Sequence, residues 1–102
     1  MFTFDDLTRI DAAGIQVLLR SVEKDKLAIA LKGGADAVKE LFFKNMSERA
    51  GKMLREDMEA LGPVRLRDVD QAQAAIVVMA KELAASGQIV ISEGREEDEL
   101  VY

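Results

Sequence analysis

The chain has 102 residues, enough for one domain that buries roughly 60–65% of the surface its unfolded form exposes. It contains no cysteine and no histidine, which excludes disulfides, zinc sites of the usual nitrogen and sulfur type, and any Ser-His or Cys-His catalytic pair. Net charge is −5, but five acids (Glu93, Glu96, Glu97, Asp98, Glu99) against Arg95 give the last ten residues a net of −4. The rest mixes both signs, so the concentrated basic face that nucleic acid or anionic lipid requires is missing. No apolar run approaches the ~20 residues of a membrane span, and the N-terminus lacks the basic region of a secretory signal. A reducing cytosolic compartment fits this usage.

In chain order, Phe2 and Phe4 read as plugs for the edge of a core. Asp11 is the predicted N-cap of a first helix that buries Ile15, Leu18, Leu19 and Val22. Glu23-Lys24-Asp25 interrupts it, and Leu27–Leu31 forms a short second helix that Gly33-Gly34 stops, in the manner of a C′ glycine. Residues 35–43 make a third helix, burying Val38, Leu41 and Phe42. Asn45 with Glu48 three residues on has capping-box spacing for the next helix. Gly62-Pro63 ends that one, and a long last helix over 68–86 carries the stripe Val69, Ala72, Ile76, Met79, Ala80 and Leu83 before Gly87 closes it. Ile89-Val90-Ile91 is a β-branched run with no second strand to pair with. Residues 93–102 read as a solvated, disordered acidic tail. The expected fold is all-α: a compact orthogonal helical bundle, armadillo-like, of about six short helices.

The helix that starts near Asn45 is the most informative. Winding it at about 100° per residue places Met46, Ala50, Met53, Leu54, Met58 and Leu61 on one face, and Arg49, Lys52, Arg55, Glu56 and Glu59 on the other. Arg49 and Glu56 share nearly one line two turns apart, with Lys52 beside them. This ridge runs positive to negative, opposite to the order the helix dipole favours, at a cost of a few tenths of a kcal/mol per pair. On composition alone such a ridge is a solvated face. Asp57 falls inside the apolar arc, where a carboxylate needs a partner, and Arg65 just past the turn is a candidate. Lys32 near a helix C-terminus has a sufficient role with the helix dipole.

No catalytic constellation is present. The neighbours Glu56-Asp57 and Asp5-Asp6 cannot form an acid/base dyad along one helix. Lys32-Gly33-Gly34 lacks the strand and the spacing of a phosphate loop. The reading is a non-enzyme that needs no cofactor and no metal.

Several separate motifs in order resemble the C-terminal domain of the bacterial flagellar motor switch protein FliG. They are Met1-Phe2-Thr3-Phe4, 11–20, Leu31-Lys32-Gly33, 45–50, 54–57, Gly62-Pro63-Val64-Arg65-Leu66, 68–73 and 88–91. The resemblance implies a Met-Phe-x-Phe hinge over residues 1–4, a helical domain over 5–92, and a tail over 93–102. It further implies a rotor component at the cytoplasmic face of the bacterial inner membrane, in the flagellar basal body. There the charged ridge would meet the cytoplasmic loop of the stator protein MotA to generate torque and set rotation direction. The rotor protein FliM and neighbouring copies of the domain would be its other partners. By motif, the residues that meet the stator fall on Lys32, Arg49, Glu56, Asp57 and Arg65, with Glu56 standing where a known family member has aspartate. The family's N-terminal and middle domains have no counterpart in these residues, so the expectation is a piece that engages the stator without assembling a rotor.

Two other classes stay open at this point. A helical regulatory domain, like the cytosolic domain of a magnesium transporter, would use paired acidic clusters for Mg²⁺, and none face each other in this sequence. A generic armadillo-like adaptor would expose an apolar groove.

Overall fold

A computed structural model describes residues 2–92; Met1 of the expected hinge and the expected tail, 93–102, lie outside the described residues. The described chain is all-helical. A 3₁₀ helix η1 (Phe4–Arg9) is followed by α1 (Ala12–Ser21), α2 (Lys24–Lys32), α3 (Asp36–Lys44), α4 (Glu48–Leu61) and α5 (Leu66–Ala85). No described helix is long and apolar enough to cross a membrane.

Local chemistry sets most of the boundaries. Asp11 caps α1 as expected, its carboxylate accepting the Gly14 N–H at 2.8 Å. The break after α1 is narrower than the expected Glu23-Lys24-Asp25: Glu23 is already the N-cap of α2, and Lys24 and Asp25 form its first turn. The start of α4 departs from the expected capping box. Ser47 is its N-cap and accepts the Ala50 N–H at 3.1 Å, while Asn45 ends α3 and donates from Nδ2 to the Leu41 carbonyl at 2.8 Å. Both residues are good caps by type; the turn between the helices needs one for each end. At the other end of α4, Gly62 adopts φ 63° and ψ −153°, a conformation essentially reserved for glycine, and Pro63 follows.

η1 has no counterpart in the sequence reading, because Asp5-Asp6-Leu7-Thr8 shows no helical stripe. It is built by local bonds instead: the Asp6 carboxylate accepts the Thr3 N–H at 2.8 Å and the Thr3 hydroxyl at 3.1 Å. The Thr3 backbone bond above all holds the Asp6 carboxyl below the usual carboxylate range. Phe4 and Leu7 are buried and Phe2 is half-buried under Arg9, which agrees with the expected plugs. Arg9 then ties the two ends of the domain together. Its Nε donates to the Ser92 carbonyl, its carbonyl accepts the Ser92 N–H, and Ile10 pairs antiparallel with Ile91. The β-branched run therefore finds its partner in the η1–α1 connection.

The core is one cluster centred on Leu7, Ile15, Leu18, Leu31, Val38, Phe42 and Ile76, all at most 1% exposed. α2 runs through the middle, packed against both α4 and α5. Its last carbonyls lack partners within the helix, and Gln73 of α5 donates to that of Ala30 at 3.0 Å. Gly33 ends α2 with φ −100° and ψ 11°, so the expected left-handed C′ geometry is not why glycine stands there. Space is the reason: a Cβ would meet the Val69 Cγ1 of α5 at 2.5 Å.

Candidate functional site

α4 presents three distinct surfaces, and the five residues singled out by resemblance divide among them and the elements beside it. Around α4, Gly51 and Leu54 are buried toward α2, with Ala50 and Met58 half-buried on either side. The buried direction is rotated by about 45° from the centroid of the apolar side chains on the helical wheel. The packing partner sets this direction: α4 lies against α2, and Gly51, which hydropathy leaves off the apolar face, is buried beside Leu54. A Cβ on Gly51 would make only an ordinary 3.5 Å contact with Phe43 Cδ1.

Two expectations are corrected. Met53, on the side of the arc turned away from Gly51, is 50% exposed, and Leu61, the last residue of α4, is 38% exposed, so neither belongs to the core face assigned to them. Asp57 is exposed, and no ion pair joins it to Arg65 or to any other described residue. Its carboxylate stays in water and needs no buried partner. Asp57→Asn is therefore expected to change stability by no more than about 0.5 kcal/mol, as at other exposed positions. A chemical denaturation curve checks this; a loss above about 1.5 kcal/mol, the scale of a charged hydrogen bond, would restore the structural role.

Arg49, Lys52 and Glu56 remain together on the outward face, all exposed, with about 10 Å of helix between Arg49 and Glu56. None of the three is ion-paired with a described residue. Asp57 instead rims a mostly apolar groove of about 230 Å³, formed with Leu19 and Arg20 of α1, Lys24 and Leu27 of α2, and Met46, Met53 and Leu54. Arg65 is exposed at the N-cap of α5, beyond the Gly62-Pro63 turn.

Lys32 is the last residue of α2, and its Nζ donates to the Met58 carbonyl of α4 at 3.1 Å. The Gly62 N–H goes to Glu59, which leaves the Met58 carbonyl without a helical partner. No base stands in the last turn of α4, where Glu59 lies and Glu56 and Asp57 closely precede it. Lys32 thus brings a positive charge to the C-terminal ends of two helices at once, where the dipoles favour it. The dipole role expected for Lys32 holds and extends to a second helix. Spacing within one helix could not reveal a bond between residues 26 apart in sequence.

Arg55, on the polar face of α4 as expected, has a specific neighbour. Its guanidinium carbon lies 4.5 Å from the centre of the Phe43 ring, well within cation–π range. Among the described residues no group of three or more acids stands close enough together to hold a metal ion.

Compared with known proteins, the chain matches the model of the family described as FliG C-terminal domain over residues 1–91. It is 58% identical over 102 residues to the flagellar motor switch protein FliG of Bradyrhizobium diazoefficiens, covering 100% of this chain and 31% of that protein. Against FliG of Thermotoga maritima it is 46% identical over 98 residues, 96% of this chain and 29% of the relative. A crystal structure of FliG from H. pylori superposes with a TM-score of 0.86 at 37% identity, covering 88% of this chain and 40% of that one. Full-length FliG from Aquifex aeolicus gives 0.84 at 39% identity, with 88% and 28% covered. The chain spans about a third of the length of the curated relatives it matches. These likenesses do not favour the regulatory or adaptor readings, although an apolar groove of the kind an adaptor needs is present.

Proposed function

Because the chain belongs to the FliG C-terminal domain family, we propose that it is the stator-facing part of a bacterial flagellar rotor and takes part in torque generation and switching. The observation that carries this reading is the outward ridge of α4, where Arg49, Lys52 and Glu56 stand exposed and unpaired among the described residues. A rotor contact must form and break repeatedly, so each interaction has to be attractive and weak. Exposed ion pairs contribute about 0.2–1 kcal/mol each, and at physiological salt they reach about 8 Å. A ridge positive at one end and negative at the other can be pulled at one end and pushed at the other by a complementary loop.

The partner in this reading is the cytoplasmic loop of the stator protein MotA, met at the cytoplasmic face of the inner membrane in the basal body. FliM and neighbouring copies of the domain are its rotor contacts. Arg49 and Glu56 form the centre of the contact, and Arg65 and Asp57 lie on separate surfaces beside it. Lys32 reaches the contact from α2 while also holding the end of α4. Residues 1–4 are the pivot by which the ridge is presented differently when rotation reverses. No bond-making chemistry is part of this role.

Motility of cells carrying charge reversals in the intact motor tests the reading. Arg49→Glu and Glu56→Arg, singly and together, are expected to slow or stop swimming while leaving flagellar assembly intact. Full swimming speed in all three strains would contradict it.

A further inference from the structure

The corner where α2, α3 and α4 meet holds an open cavity of about 390 Å³ lined by Lys32, Lys39, Phe43, Arg55, Met58 and Glu59. Three cations against one acid give the lining a formal charge of +2, in a chain whose total is −5. None of the three cations forms an ion pair with a described carboxylate, Glu59 of the same cavity included. Glu59 and the two helix ends offset only part of this charge, and the lining stays net positive.

Two of the cations are held in place by their surroundings. Lys32 is bonded to the Met58 carbonyl at 3.1 Å, and Arg55 lies over Phe43 at 4.5 Å. A guanidinium resting on an aromatic ring keeps its N–H edge free for a two-pronged bond to a carboxylate. Its ordering cost, which cancels much of the value of an ordinary surface ion pair, is already partly met. Phe43 and Met58 add an apolar wall that suits the stem of a long acidic side chain.

We propose that this corner is a carboxylate pocket for an acidic segment of a protein partner. A glutamate of that segment lays its methylenes against Phe43 and Met58 and sets its carboxylate between Arg55 and Lys39. Lys32 supplies further positive potential from behind. The proposal deepens the function above and rests on it only for the identity of the partner; recognition of an acidic peptide stands without it. It adds Lys39, Phe43 and Arg55, none of them among the five residues singled out by resemblance. The apolar wall of Phe43 and Met58 favours a carboxylate on a methylene stem over a bare phosphate group, which has no apolar part to place there.

The test is an amide NMR titration of the whole 102-residue chain with a blocked pentapeptide carrying one glutamate between leucines. The same peptide with glutamine, and inorganic phosphate, serve as comparisons. Saturable, salt-sensitive shifts at Lys39, Phe43 and Arg55 are expected from the glutamate peptide. Binding by the glutamine peptide, and binding to Arg55→Gln, should be weaker by about tenfold, the effect of one charged hydrogen bond. Lys81→Glu, exposed on α5 and outside the cavity, should leave peptide binding unchanged; the ridge is read separately, by the swimming of the charge-reversal strains. Three results would overturn the proposal: no shifts, equal response to the glutamine peptide or to phosphate, or binding that appears only after truncation beyond Ser92. The last would make the chain's own acidic tail the occupant.

Discussion

Phe42→Ala is expected to cost the domain about 3–5 kcal/mol of unfolding free energy. Phe42 is fully buried at 0% exposure, on the face of α3 that packs against η1 and α1. Removing the ring loses its transfer free energy and leaves a cavity that Leu7, Leu18 and Val38, themselves at most 1% exposed, have little freedom to fill. Single domains have about 5–15 kcal/mol in total, so the variant should unfold at much lower urea. The neighbouring Phe43→Ala provides the contrast. Phe43 is half-buried and carries Arg55 on its face, so its loss should cost about 1–2 kcal/mol through reduced burial and the lost cation–π contact. Equal midpoints for the two variants would mean that α3 does not bury the face described here.

Gly33→Ala should destabilise by about 1–3 kcal/mol through overpacking. The new Cβ would stand 2.5 Å from Cγ1 and 3.1 Å from Cγ2 of Val69, which is 5% exposed in the first turn of α5. Valine in a helix is confined to essentially one χ1 rotamer, so it cannot swing clear, and α2 and α5 must separate. Combining Gly33→Ala with Val69→Ala removes both clashing methyls. The double variant should therefore be more stable than the sum of the single losses predicts, by about 0.5–3 kcal/mol. Additive losses would show that the two helices approach less closely than described. Because Lys32 adjoins Gly33, the clash also threatens the bond that holds the end of α4.

Much of the fold was legible because each helix announces itself by periodicity and punctuation. Asp11, Gly62-Pro63 and the stripe from Val69 to Leu83 fall where the structure has a cap, a stop and the buried side of α5. What was illegible depends on contacts that no residue type declares. η1 rests on local bonds between Thr3 and Asp6, and Gly33 is selected by the nearness of a valine 36 positions on. Two adequate caps, Asn45 and Ser47, competed for one helix start, and the structure uses one at each end of the turn. In the site, the ridge of Arg49, Lys52 and Glu56 was legible from helical geometry. The burial expected for Asp57 was wrong because α4 buries Gly51, which hydropathy does not count, beside Leu54 against α2, and this leaves Asp57 exposed at a groove rim. The Lys32 bond and the Arg55 stack join separate elements and could be seen only once those elements had been placed.

The central claim is that the outward face of α4 is the face that meets the stator. Its most direct measurement is binding of this chain to a purified stator cytoplasmic loop, titrated with salt and repeated with Arg49→Glu, Glu56→Arg and the double reversal. The expected result is weak, salt-sensitive binding that each reversal alters. Absence of binding at low salt by the folded chain, or binding that ignores all three reversals, would contradict the claim and leave the ridge a solvated face.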